Sequence, residues 1–142
     1  MQKIAVIYWS GTGNTEMMAQ SIADGIKEAG AEPVLLPVAS TSAAQAAGFA
    51  RLALGCPAMG AEVLEEMEFE PFFTELEPSL GGKRVALFGS YGWGDGQWMR
   101  DWQARTEEAG AYLVSDAGLM AHELPTADVL EACKALGKQL AS

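Results

Sequence analysis

The sequence predicts a doubly wound α/β fold, a parallel sheet of five strands with helices on both faces. Three observations carry that expectation. Apolar runs of strand length alternate with stretches of helical periodicity from end to end, a pattern that calls for parallel strands joined by crossover helices. The runs Lys3–Trp9 (KIAVIYW) and Arg84–Gly89 (RVALFG) are almost continuously apolar, as suits strands covered on both faces. The three most unusual loops all follow strands, at the end of such a sheet where ligands bind.

The elements run in order as follows. Lys3–Trp9 is the first strand. Met18, Ile22 and Ile26 then recur at helical spacing beside Ala19 and Ala23, and Gly30 ends that helix. Pro33–Val38 is the second strand. An Ala-rich helix follows over 40–48, with Ser40 or Thr41 as its cap. Leu52–Cys56 is the third strand, with Arg51 at its entrance because a charge is out of place in a buried strand. A helix over 70–77 leads to the turn Gly81-Gly82 and then to the fourth strand, 84–89. The helix over 97–109 places Trp98 and Trp102 on one side, which assigns both to packing. Tyr112–Ala121 is a fifth, interrupted strand. Asp128–Leu140 is the closing helix, capped by Thr126.

Composition narrows the function. A chain of 142 residues, about half of them hydrophobic, reads as one globular domain with a real core. Its formal net charge of −10 argues against nucleic acid and anionic membrane surfaces and favours basic partners. Cys56 and Cys133 lie far apart, and a single His cannot complete a metal site with them. A reducing cytoplasm is the simplest compartment. The first apolar run is too short for a signal peptide, no run approaches a membrane span, and no repeats occur.

The first loop, Ser10-Gly11-Thr12-Gly13-Asn14-Thr15, opens a helix and carries hydroxyl and amide donors among glycines. Backbone N–H groups at a helix start favour an anion, and a phosphate held by neutral donors suits this set; the bland alternative is an ordinary polar cap. The loop lacks the Lys of a Walker motif, and Glu16 replaces the third glycine of the dinucleotide fingerprint. The second loop, Cys56-Pro57-Ala58-Met59-Gly60-Ala61-Glu62, offers a polarizable Met59 beside a turn glycine. The third, Ser90-Tyr91-Gly92-Trp93-Gly94-Asp95-Gly96, holds an indole between glycines, where it can face a flat ligand. In a doubly wound sheet the ends of strands one, three and four are neighbours. The three loops then describe a phosphate pocket leading to a slot for a flat aromatic cofactor.

These motifs, YWSGTGNTE, LGCPAMG and LFGSYGWGDG, resemble those of the short-chain flavodoxins, and the resemblance covers essentially the whole chain. It implies the flavodoxin-like strand order 2-1-3-4-5, non-covalently bound FMN, and low-potential one-electron transfer between semiquinone and hydroquinone, with no catalytic residues and no metal. It implies redox partners such as reductases, hydrogenase or ferredoxin-dependent enzymes, and a monomer. By the same resemblance Ser10, Gly11, Thr12, Gly13, Asn14 and Thr15 form the phosphate loop. Ala58, Met59, Gly60, Ala61 and Glu62 border the flavin, with Met59 flanking the ring and Glu62 accepting from N3–H. Ser90, Tyr91, Gly92, Trp93 and Gly94 complete the site, with Trp93 on the ring and the backbone of Ser90 and Gly92 at the pyrimidine edge. The Gly60-Ala61 peptide is implied to flip on one-electron reduction. Ala61 stands where the family pattern has Asp or Ser, and Pro57 stands where some relatives have Ser.

Glu62, Glu65, Glu66, Glu68 and Glu70 make a negative field that disfavours a reduced, anionic flavin, and the run is either a docking rim for basic partners or a plain solvated face. His122 reads as a surface residue without a redox role. A quinone or flavin reductase on the same fold is the alternative; it calls for a second substrate site, and no segment of the sequence is spare for one. A phospho-acceptor domain would need an Asp where Cys56 stands.

Overall fold

The structure, a computed structural model, describes residues 2–115 and 117–142. Its strands are β1 (Lys3–Tyr8), β2 (Glu32–Pro37), β3 (Arg51–Gly55), β4 (Arg84–Tyr91), β5 (Tyr112–Leu113) and β6 (Leu119–His122). Its helices are α1 (Asn14–Glu28), α2 (Ala43–Ala46), α3 (Phe69–Leu76), α4 (Gln97–Glu108) and α5 (Ala127–Ala141). The strands are parallel in the order β2-β1-β3-β4-β5, with β6 also on β4. β5 pairs with Arg84 and Val85, and β6 pairs with Phe88 to Tyr91. The two are halves of the interrupted fifth strand, so the expected order holds.

Alternation along β1 builds two cores. Ile4, Val6 and Tyr8 face Met18, Ile22 and Ile26 of α1 and Leu136 and Leu140 of α5. Ala5 and Ile7 face the other way, into a core with Leu52, Leu54, Phe69, Phe73, Trp98 and Trp102. Both tryptophans are buried, and Trp102 makes T-shaped contacts with Phe69 and Phe73, with centroids 5.5 and 5.9 Å away. No described helix is long and apolar enough to cross a membrane.

Several boundaries differ from the sequence reading. β1 ends at Tyr8, which leaves Trp9 in the loop. The segment 40–48 is not one helix: it holds the end of a 3-10 turn (Val38–Ser40) and the single turn α2. Ser42, rather than Ser40 or Thr41, caps α2, its Oγ accepting from the Gln45 N–H at 3.2 Å. Only Ala46 of α2 is buried, so no apolar stripe extends the helix beyond a turn. β4 runs on to Tyr91 because β6 supplies a partner for its last residues. Thr126 caps α5 as expected, accepting from the Val129 N–H at 3.2 Å. Arg51 does sit at the strand entrance. Its Nη1 donates to the carbonyls of Leu140 and Ser142 at 2.9 and 2.7 Å, placing a cation at the negative end of α5.

Candidate functional site

The first loop leaves β1 and enters α1 through Gly13, which is left-handed at φ 98° and carries no side-chain cap. Ser10 organises the turn: its Oγ accepts from the N–H groups of Gly13 and Glu16 at 3.1 and 3.3 Å, so its own proton remains to donate. First-turn N–H groups have no intrahelical partner, and the helix dipole adds to their pull on an anion. Thr15 is buried. Its Oγ1 lies 3.0 Å from Ser90 Oγ and accepts from the Ser90 N–H at 3.4 Å. When the Ser90 hydroxyl is the donor, the Thr15 proton is available to a bound anion.

The second loop continues along β4. The Cys56 N–H donates to the Phe88 carbonyl at 3.1 Å, and the Ala58 N–H donates to that of Ser90 at 3.0 Å. The Trp98 indole N–H holds the Cys56 carbonyl at 3.1 Å. Met59 and Val63 exchange backbone hydrogen bonds at 2.9 and 3.1 Å and so close a hairpin over Gly60, Ala61 and Glu62. Gly60 has φ 45° and Glu62 φ 57°, the latter a conformation seldom adopted by a non-glycine residue. Glu62 Oε1 accepts from the N–H groups of Gly96 and Gln97 at 3.2 and 3.0 Å, so the carboxylate ties the hairpin to the start of α4. It passes so near Gly94 that a Cβ there would lie 2.5 Å from its carboxyl carbon.

The acidic run is not a uniform rim. Glu65 is buried and accepts from the N–H groups of Met67, Glu68 and Phe69 at 2.8, 2.8 and 2.9 Å, capping α3. Glu70 is paired with Arg105 at 2.8 Å. Arg105 holds its carboxyl below the usual range, chiefly through that hydrogen bond. Glu66 and Glu68 are exposed, and Glu68 Oε1 accepts from the Trp9 indole at 3.0 Å.

In the third loop Trp93 stands 64% exposed. Arg100 braces the far side, donating to the Asp95 carbonyl at 3.1 Å and its carboxylate at 2.9 Å. His122 is exposed, as read from the sequence, but its ring also meets this loop.

The loops converge on an open cavity of about 200 Å³. Ser10, Gly11, Thr12, Thr15, Ala58, Met59, Ser90 and Tyr91 line it, together with Trp9 and Pro57, and no Lys or Arg does. Gly13 and Asn14 stand at the start of α1 beside it. Gly60, Ala61, Glu62, Gly92, Trp93 and Gly94 are not part of the lining; they belong to the two loops that supply Met59 and Tyr91.

The flavodoxin family profile matches residues 6–137. The chain belongs to the flavodoxin family. The flavodoxin of Megasphaera elsdenii is 47% identical over 138 residues, covering 97% of this chain and 98% of its own. That of Clostridium beijerinckii is 46% identical over 137 residues, covering 96% and 98%. The solution structure of the two-electron reduced Megasphaera elsdenii flavodoxin superposes with a TM-score of 0.88 over 97% of this chain and 98% of that one.

FMN is the cofactor of the flavodoxins, and the residues present fit it. A helix start ringed by hydroxyls suits a phosphate ester, and Met59 and Tyr91 give the cavity apolar walls. The sequence reading did not include Trp9 in the site. The available signal is an indole at the carboxyl end of the first strand, where the ligand-binding loops begin. Both thiols stay protonated: burial pushes Cys56 well above the ordinary thiol range and Cys133 up to about 12.

Proposed function

We propose that this flavodoxin is a low-potential one-electron carrier whose FMN cycles between semiquinone and hydroquinone, with no substrate chemistry of its own. The cavity carries the reading: three strand-end loops meet around neutral donors, without a cation. In this reading Ser10, Thr12, Asn14 and Thr15, with the first-turn N–H groups of α1, bind the phosphate. Met59 and Trp93 flank the ring, and backbone groups of Ser90 and Gly92 meet its pyrimidine edge. Glu62 keeps one oxygen on α4 and offers the other to N3–H, so ring recognition is braced by a helix start. The Gly60-Ala61 carbonyl turns toward the flavin on reduction. The absence of Lys and Arg from the cavity lining supports a low second potential, since a cation against the ring would stabilise its anionic reduced form.

The carrier is proposed to act as a single-domain monomer in the cytoplasm. It takes electrons from a reductase or hydrogenase and passes them to ferredoxin-dependent enzymes. Glu66 and Glu68, the exposed members of the acidic run, face basic partners. Mixing the FMN-loaded protein with NADPH alone separates a carrier from a reductase. The flavin absorbance is expected to persist for minutes and to fall only when a reductase is added. Bleaching by NADPH alone within seconds would make the protein an enzyme.

A further inference from the structure

His122 ends β6 directly across from Tyr91 of β4. Its ring rests against that of Tyr91, with centroids 5.0 Å apart, and Tyr91 in turn packs on buried Trp98 at 5.6 Å. The imidazole Nε2 lies 3.2 Å from the carbonyl oxygen of Gly92. A carbonyl can only accept, so Nε2 carries the proton and donates. The Glu123 carboxylate lies 3.7 Å from Nε2. Glu123 itself turns left-handed at φ 60°, and its N–H donates to the Tyr91 carbonyl at 2.7 Å. Two successive residues of β6 and its turn thus hold two successive carbonyls where the third loop leaves the sheet.

The consequence follows from peptide planarity. The Gly92 carbonyl and the Trp93 N–H share one plane, so fixing the first fixes the second and places the Trp93 Cα; what remains is rotation about the N–Cα bond, which the far anchor of the loop limits. Glu62 and Arg100 anchor the far side of the loop at residues 95–97. His122 anchors the near side, and the exposed indole lies between the two. We propose that His122 is a positioning residue for the flavin: by holding the Gly92-Trp93 peptide plane it sets the angle at which Trp93 meets the ring. This rests on the FMN reading above.

The test compares His122→Leu, which removes the donor, with His122→Gln, which keeps an N–H at similar reach. In the apoprotein, Leu is expected to speed amide hydrogen exchange at residues 93–95, while Gln protects them as His does. In FMN titrations, Leu is expected to raise the dissociation constant about two- to tenfold, the range for one net hydrogen bond, and Gln to restore it to within about twofold. A Leu variant indistinguishable from wild type in both assays would overturn the proposal. So would Leu and Gln variants impaired alike, which would show a steric role only. A wild-type protein that binds no FMN would overturn the flavin reading as well, and is told apart from these outcomes by the wild-type titration alone.

Discussion

Gly60→Val is expected to cut the yield of flavin semiquinone sharply while leaving FMN affinity within about twofold of wild type. The reason is local. A Cβ at Gly60 would meet nothing within 4 Å, so the first added carbon costs no packing. The penalty that can be assigned is conformational: the residue has φ 45°, where an L side chain costs about 1–2 kcal/mol and a β-branched one at least as much. The hairpin escapes that penalty by leaving the positive-φ arrangement, which is the one that the proposed flip of the Gly60-Ala61 carbonyl would require. Converted to a one-electron couple, 1–2 kcal/mol is a shift of about 40–90 mV in the first reduction potential. The phosphate end, built from residues 10–15 and α1, shares no hydrogen bond with this turn and keeps its grip. Gly60→Ala is expected to act in the same direction with a smaller shift. Spectroelectrochemistry and FMN titration of both variants check this. Equal losses of semiquinone and of FMN affinity would contradict a turn specialised for redox control.

Gly89→Ala is expected to be the most damaging single-methyl change at the site. Its Cβ would fall 2.2 Å from the carbonyl oxygen of Cys56 and 3.3 Å from the Trp98 ring. The first neighbour is backbone and cannot move alone: the Cys56 N–H and the Ala58 N–H are both bonded to β4, on either side of Gly89, and the Cys56 carbonyl accepts from Trp98. Relief of the clash must separate the two strand ends from which the second and third loops depart. Overpacking of this kind costs about 1–3 kcal/mol, or several degrees in melting temperature at this chain length. FMN affinity should fall with it, because Met59 and Ser90 lose their spacing. Gly92→Ala is the control. It lies three residues further on, and its Cβ would meet nothing within 4 Å, so the apoprotein is expected to melt within about 0.5 kcal/mol of wild type. Similar melting temperatures for the two variants would remove the close strand approach as the explanation.

Much of this architecture was legible because it depends on periodicity and punctuation. The continuous apolar runs at β1 and β4 announced a sheet covered on both faces, and the helical spacing of Met18, Ile22 and Ile26 announced α1. The three loops could be placed together because strand alternation puts their ends on one side. The misses share a different cause. The short α2 is set by tertiary packing around Ala46 rather than by its Ala-rich propensity. The reach of β4 to Tyr91 depends on a partner strand far along the chain. The run from Glu62 to Glu70 looked like one acidic surface, yet it divides by environment: Glu65 caps a helix, Glu70 pairs with Arg105, and Glu62 braces α4. His122 carried no signal at all, since its significance lies in a carbonyl thirty residues away.

The central claim is that one cavity holds FMN and that its loops stabilise the one-electron reduced state. Stepwise anaerobic reduction followed by visible absorption tests it most directly. The expected course begins with an oxidised flavin spectrum, passes through an accumulating blue neutral semiquinone, and ends in a fully reduced form reached only at low potential. A protein that carries no flavin, or one that passes from oxidised to fully reduced without a blue intermediate, would contradict it.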